Sequence, residues 1–301
     1  MNDLITVSDL VARALAERKP VVALETTLVT HGLPDPEGVA AAVEMEEVVK
    51  EHGAVPATIG VIEGRVRVGL TREEIRSLPV EGCVKLSLSN LAARVAARKS
   101  GSTTVAATLA AAAHVGIRVF ATGGIGGVHR NAGESGDVSA DLSALSRWPV
   151  AVVCAGAKAI LDLPLTVQRL ETLGVPVYGF GTDEFPAFYR RSSRLPVDAR
   201  FDDVRQLAAA IGVHWKMGLA TGVVVGNPVP VDEEMPLELY EHALASALEK
   251  ATRAGVRGRD VTPYLLEQLR VFSDGTSLFS NLALLRNNAA LAADLASAML
   301  A

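Results

Sequence analysis

Short apolar runs recur along this 301-residue chain, and nearly every one is followed by a stretch with helical periodicity. That alternation constrains the fold more than any other feature. Strands are expected at 20–24, 57–62, 65–68, 82–87, 117–121, 149–154, 176–178 and 222–225. Helical patterns fall at 7–17, 36–52, 88–99, 103–114, 158–173, 202–217 and 236–254. Strands buried on both faces read as continuous Val/Ile/Leu/Ala runs, and alternation with helices implies crossover connections. The predicted fold class is therefore α/β: a three-layer α/β/α arrangement with a central, largely parallel (mixed) sheet. The last third reads as helical, with patterns at 262–269 and 278–300. Without a low-complexity linker or an internal repeat, one domain over residues 1–301 is expected. Thr71-Arg-Glu-Glu74 fits a capping box, and Gly174 sits where a helix C-cap is expected.

Composition agrees. Hydrophobic residues make up 49% of the chain and aromatic residues 4%, which suits close packing of helices on a sheet. A net charge of −5 with no basic block argues against nucleic acid as a partner, while leaving room for small anionic ligands. The N-terminus lacks a basic segment followed by an apolar one, and no uncharged run approaches the roughly 18–20 residues needed to span a bilayer. A soluble, cytoplasmic protein with no membrane partner is expected. Cys83 and Cys154 lie in apolar strand-like runs and read as buried thiols, and no zinc-type spacing is present.

In open α/β sheets, functional groups collect at the carboxyl ends of strands. Lys158 follows Pro149-Val-Ala-Val-Val-Cys154 and a small-residue turn, at the expected start of a helix, where an amine can serve as a nucleophile toward carbon. A cation at a helix start opposes the dipole. Glu25 directly follows Val21-Val-Ala-Leu24. It reads either as a general acid in an apolar pocket or as an ordinary strand-end carboxylate. Lys85, in Cys83-Val-Lys-Leu-Ser87, either holds an anion or points to solvent. Thr122 and the glycines after it follow Val119-Phe-Ala121.

Between these strands lie three polar segments. Ser100-Gly-Ser-Thr-Thr-Val-Ala106 is read as opening a helix. Its hydroxyls, with Thr103 and Thr104 foremost, and its free amides either seat a phosphate or simply cap the helix. Gly123-Gly-Ile-Gly-Gly127 is a weak dinucleotide signal, because His129, Arg130 and Asn131 interrupt it; glycines there allow close approach of backbone to a ligand. Asp137, Ser139 and Asp141 supply oxygen ligands for a hard divalent ion, or form an acidic turn that caps the next helix. Asn281, Asn287 and Asn288 fall in the last helical stretch, where surface placement is the default and orientation of a ligand the alternative.

Taken in order, several long motifs resemble the pseudouridine-5′-phosphate glycosidases, also called the indigoidine synthase A-like family. They are Val22-Ala-Leu-Glu-Thr-Thr27 with His31-Gly-Leu-Pro34, Gly101-Ser-Thr-Thr-Val-Ala-Ala-Thr108, and Phe120-Ala-Thr-Gly-Gly-Ile-Gly-Gly-Val-His-Arg130. Asp137-Val-Ser-Ala-Asp-Leu142, the segment from Pro149 through Lys158 to Asp162, Val261-Thr-Pro-Tyr-Leu-Leu266 and Asn281-Leu-Ala-Leu284 complete the set.

The resemblance implies reversible cleavage of the C–C glycosidic bond of pseudouridine 5′-phosphate to uracil and ribose 5-phosphate. It implies a nucleophilic lysine at Lys158, an acid at Glu25 and a metal carboxylate at Asp137. It also implies substrate contacts at Lys85, Val105, Ser139, Ala140 and Asp141, with Thr122, His129 and Asn281 as further pocket members. Mn²⁺, or Mg²⁺ or another divalent ion in its place, and a homotrimer are implied too. The chain departs from the family's usual pattern at Leu86-Ser-Leu-Ser-Asn90, at Ser135-Gly136 and at Phe279-Ser280. Two other readings fit an amine beside an acidic loop. One is a different Schiff-base lyase or aldolase acting on a sugar phosphate. The other is a non-catalytic regulator that binds sugar phosphates.

Overall fold

A computed structural model describes residues 4–79, 83–130, 132–256 and 261–301. The first strands are β1 (Ile5–Val7), β2 (Val21–Glu25), β3 (Val55–Ile62), β4 (Arg65–Val68), β5 (Val84–Leu86) and β6 (Gly101–Thr103). They are followed by β7 (Val119–Ala121), β8 (Ala151–Cys154), β9 (Val177–Phe180), β10 (Ala199–Phe201) and β11 (Val223–Gly226). All belong to one mixed sheet, in the order β1-β4-β3-β2-β7-β8-β11-β9-β10, with β6 paired to β3 and β5 to β6. Every pairing is parallel except β3 with β4 and β3 with β6.

The helices α1 (Asp9–Ala16), α2 (Glu37–Glu51), α3 (Arg72–Ser77), α4 (Leu91–Ala96), α5 (Val105–Val115) and α6 (Ala132–Ser135) come first. Then follow α7 (Ala140–Leu145), α8 (Leu163–Thr172), α9 (Val204–Lys216), α10 (Leu237–Arg253), α11 (Val261–Phe272) and α12 (Thr276–Ala298). The expected α/β architecture is therefore present, with a mostly parallel sheet and a helical C-terminal third. Strands β2, β7, β8 and β11 are buried along their whole length, which explains their unbroken apolar sequences. No helix among the described residues is long and apolar enough to cross a membrane.

Two local signals hold. Thr71 and Glu74 form a reciprocal capping box on α3, and Gly174 takes φ +66° just past the end of α8. Both cysteines are free thiols. Cys154 is buried, which pushes its pKa up to about 12, while Cys83 is half-buried. Gly82, read as the first residue of a strand, and Asn131 lie outside the described residues.

Two secondary-structure expectations near the site need correction. Residues 101–103, read as part of a loop and helix opening, form β6 instead. This strand pairs with Gly60 and Val61 of β3, on the edge that β2 occupies up to Ile59. β6 thus continues the lane of β2 beyond its carboxyl end. Gly101 is required there, since a Cβ would lie 2.7 Å from both the Val84 carbonyl oxygen and Leu86 Cδ1. Lys158 does not open a helix either. α8 begins only at Leu163, where the Asp162 side chain accepts from the Leu165 amide at 3.0 Å and Pro164 occupies the first turn. Lys158 lies in the turn between β8 and that cap, so the helix-dipole argument does not apply to it.

Candidate active site

Three parallel strands end side by side, and each delivers one polar group. β2 ends in Glu25, β7 is followed by Thr122, and β8 by the turn carrying Lys158. β5 brings Lys85 from the opposite direction, because β6 extends the lane of β2 and β5 lies parallel beside β6. Threonines lock this corner. The Thr103 amide donates to Thr26 Oγ1 at 2.9 Å, and Thr27 Oγ1 donates to the Thr103 carbonyl at 2.6 Å.

The glycine segment runs beside the Lys158 turn as a continuation of β7 and β8. The Lys158 amide donates to the Ile125 carbonyl, and the Ile125 amide to the Gly156 carbonyl, each at 3.0 Å. Gly156 must be glycine: its φ is +85°, and a Cβ would lie 1.8 Å from the Pro186 carbonyl oxygen. Val128 pairs with Val138, which folds the acidic segment back onto the glycine loop.

The result is a cleft in two parts. Glu25, Thr27, Lys85, Lys158 and Thr262 border both. One part, of about 50 Å³, is mostly apolar, walled by Leu28, Met45, Phe188, Leu266 and Leu285 with Thr122, His31 and Asn281 at its polar points. The other, of about 350 Å³, is lined by hydroxyls, amides and carboxylates that include Ser87, Asn90, Thr104, His129, Ser139 and Asp137.

Electrostatics distinguish the groups at the junction. Burial pushes the Glu25 carboxyl above its ordinary pKa, against the opposing pull of Lys158 and of Thr122, whose hydroxyl donates to Glu25 Oε1 at 2.5 Å. Burial, then the charge of Lys158, lowers the Lys85 ammonium, while Asp141 and Glu25 oppose that shift. His129 is lowered by burial, with Asp137 opposing. His31 is lowered by burial and by Lys85; its Nδ1 lies 2.6 Å from Thr30 Oγ1, which donates to Ser102 Oγ at 2.7 Å. A buried carboxyl with a raised pKa beside two lysines suits acid-assisted attack on carbon.

Most of the residues singled out from sequence line this cleft. Glu25, Lys85 and Lys158 do so from both sides, Thr122 and Asn281 in the apolar part, and Thr104, His129, Asp137, Ser139, Ala140 and Asp141 in the polar part. Thr103 and Val105 line neither part. Thr103 is fully buried and its hydroxyl donates to the Ile59 carbonyl at 2.6 Å, while Val105 packs into the core. Asp141 does not act as an open ligand. Its Oδ1 accepts from the Ala106 amide at 2.9 Å and its Oδ2 from the Gly126 amide at 2.8 Å. The carboxylate thereby takes an amide in the first turn of α5, where sequence reasoning placed a phosphate, and fastens that turn to the glycine loop.

Asp137 retains an available carboxylate, with its Oδ2 4.0 Å from His129 Nε2. Among the described residues no three His, Cys, Asp or Glu side chains gather as ligands. One carboxylate with water completing the shell is a donor set that hard divalent ions accept, so Asp137 fits such an ion. Sequence reasoning missed Thr27, Phe188 and Thr262 as lining residues. Thr27 was within reach, two residues past a strand-end acid. Phe188 and Thr262 arrive from distant segments; Phe188 carries no local signal, and Thr262 only its place in the Val261–Leu266 motif.

Comparison with known proteins adds to this geometry. The family model described as "Indigoidine synthase A like protein" matches residues 10–298. A pseudouridine-5′-phosphate glycosidase of Geobacillus kaustophilus is 50% identical over 297 residues, covering 98% of this chain and 99% of that protein. One of Paracoccus denitrificans is 49% identical over 302 residues, covering 99% of each. Among solved structures, a prealnumycin C-glycosynthase in complex with ribulose 5-phosphate superposes with a TM-score of 0.92 at 38% identity, covering 100% of this chain and 98% of that one. An indigoidine synthase A-like protein from Thermotoga maritima gives a TM-score of 0.89 at 35% identity, covering 99% and 97%.

Proposed function

The chain belongs to the indigoidine synthase A-like family of enzymes, and from that premise we propose that it reversibly cleaves the C–C glycosidic bond of pseudouridine 5′-phosphate, giving uracil and ribose 5-phosphate. One observation carries the reading: Glu25, Lys85 and Lys158 stand at the junction of a small apolar compartment and a larger polar one. A C-nucleotide has that same division, with a flat base joined through one carbon to a charged sugar phosphate. Relatives named as pseudouridine-5′-phosphate glycosidases, and a C-glycosynthase bound to a pentulose phosphate, support it.

A C–C glycoside has a poor leaving group, and simple departure would place a carbanion on uracil. Opening the ribose avoids this. Glu25 donates its proton to the ring oxygen as the amine of Lys158 forms a bond to C1′ and the C1′–O4′ bond breaks. The new secondary ammonium returns a proton to the Glu25 carboxylate. Uracil C5 then takes up a proton, the C1′–C5 bonding pair passes to the base, and the nitrogen lone pair leaves an iminium at C1′. Water adds to C1′, and collapse releases ribose 5-phosphate and free Lys158. Burial raises the Glu25 pKa and so favours the protonated form that the first step uses.

Lys85, with the hydroxyls of Ser87 and Thr104, seats the phosphate, and Asn281, with Thr122, faces the base. Ser139, Ala140 and His129 border the sugar side. Asp137 would hold a divalent ion, Mn²⁺ or Mg²⁺, which supplies charge stabilisation and orientation when bound. The same reading takes the chain as one domain that works as a homotrimer in the cytoplasm. Incubating pseudouridine 5′-phosphate with the protein and separating the products chromatographically tests it. Release of free uracil is expected; an intact substrate, or cleavage of a different sugar-phosphate bond with no uracil, would contradict it and favour the aldolase alternative.

A further inference from the structure

Asn288 has no exposed surface, although it lies on α12 among leucines and alanines. Burying a carboxamide is costly unless its donor and acceptor are both met. Here Nδ2 donates to the Thr122 carbonyl at 2.8 Å, and Oδ1 accepts from Asn227 Nδ2 at 3.0 Å. Asn227, just past β11, donates its own amide to the Cys154 carbonyl at the end of β8 at 2.9 Å. The Thr122 amide donates to the Val153 carbonyl at 3.1 Å, and its hydroxyl donates to Glu25 Oε1. One buried amide therefore ties the ends of β7, β8 and β11 to the carboxyl at the end of β2. Neither Asn288 nor Asn227 lines the cleft.

We propose that Asn288, held by Asn227, is a positioning residue for Glu25. It fixes the main chain after β7 so that the Thr122 hydroxyl stays aimed at Oε1. This rests on the reading of Glu25 as the proton donor. The charged groups around Glu25 come from other elements: Lys158 from the turn after β8, Lys85 from β5 and Asp141 from α7. Asn288 hydrogen-bonds to none of them, so replacing it leaves those charges in place and alters only how Thr122 meets Glu25.

A double-variant cycle tests this, because contributions that act through one another are not additive. Asn288→Ala is expected to lower kcat for uracil release about tenfold, the scale of one buried hydrogen bond, with KM nearly unchanged. The alkaline limb of its pH profile is expected to move upward, as in Thr122→Val, because both weaken a donor to the ionised carboxyl. Asn288→Ala added to Thr122→Val should cost little more than Thr122→Val alone. Additive losses, or an unmoved alkaline limb, would overturn the proposal. If Asn288→Ala does not fold, Asn227→Ala, which spares the bond to Thr122, should give a smaller loss with the same non-additivity; additivity there overturns it equally. An infrared titration of the Glu25 carboxyl band, assigned by its disappearance in Glu25→Gln, needs no turnover. A band that titrates alike with and without Asn288 contradicts the relay. A band that shifts in Asn288→Ala, in a protein releasing no uracil, upholds the relay and counts against the functional reading.

Discussion

The two parts of the cleft share their central residues and differ in almost everything else. On one side Leu28, Met45, Phe188, Leu266 and Leu285 enclose a space of about 50 Å³; on the other, hydroxyls, amides and carboxylates enclose about 350 Å³. The apolar part favours a flat, weakly charged ring, and the polar part favours a hydrated, anionic chain. A substrate with one half in each part would bring the bond between its halves to Glu25, Lys85 and Lys158, which border both. On the proposed reading, the difference between compartments orients the substrate, and the shared residues stand at the bond that breaks.

The most damaging change should be at the junction itself. Lys158→Ala is expected to abolish turnover, by about 10⁴-fold or more as for loss of a nucleophile, while substrate binding stays measurable by calorimetry. Glu25→Gln comes next, with kcat down about 10²–10⁴-fold, the range for a general acid. Because burial raises its pKa, wild-type activity should fall as pH rises through that raised value, and this alkaline limb should vanish in Glu25→Gln. Stability follows the same sign. A carboxyl raised on folding binds its proton more tightly in the native state, so stability is lost as pH rises from the ordinary carboxyl range through the raised value. Glu25→Gln should accordingly lose less Tm than wild type as pH rises above the ordinary carboxyl range.

The sequence yielded the strand ends readily, and the reason is physical. Strands covered on both faces are continuous apolar runs, so the first polar residue after each run marks a carboxyl end, as at Glu25, Thr122 and Lys158. β6 was not legible, because Gly-Ser-Thr has no apolar alternation and its pairing partner lies some forty residues away on β3. The turn holding Lys158 reads as helix in sequence because Ala159, Ile160 and Leu161 continue a helical pattern; they are buried by tertiary contacts instead. Surface placement, the default for Asn288, fails for a related reason, since the residue is fully buried. α12 is buried along most of its length, so a polar residue in it does not indicate a surface position. Asp141 stands out in sequence as a polar residue of the acidic segment, but its hydrogen bonds to the Ala106 and Gly126 amides depend on three segments meeting in space.

Substitutions on one side only should separate the compartments. Lys85→Met is expected to raise KM for ribose 5-phosphate about 10–100-fold in the synthetic direction, the scale of a lost charge-assisted hydrogen bond, with KM for uracil changed much less. Comparable rises for both substrates would show that the two compartments do not divide the substrate. On the apolar side, Gly124→Ala should disturb the base, since a Cβ there would lie 2.6 Å from the Phe188 ring. Its effect should be the smallest, about 3–10-fold on KM for uracil if the ring shifts by the fraction of an ångström required; steady-state kinetics with each substrate varied in turn measures it.

In the proposed reaction Lys158, and not its neighbour Lys85, bonds to the sugar carbon. Incubating the protein with ribose 5-phosphate and borohydride, followed by intact-mass measurement and peptide mapping, tests this directly. A single reduced pentose phosphate is expected on Lys158, absent from Lys158→Ala and retained in Glu25→Gln. An adduct mapped to Lys85, or none under conditions where uracil is released, would contradict it.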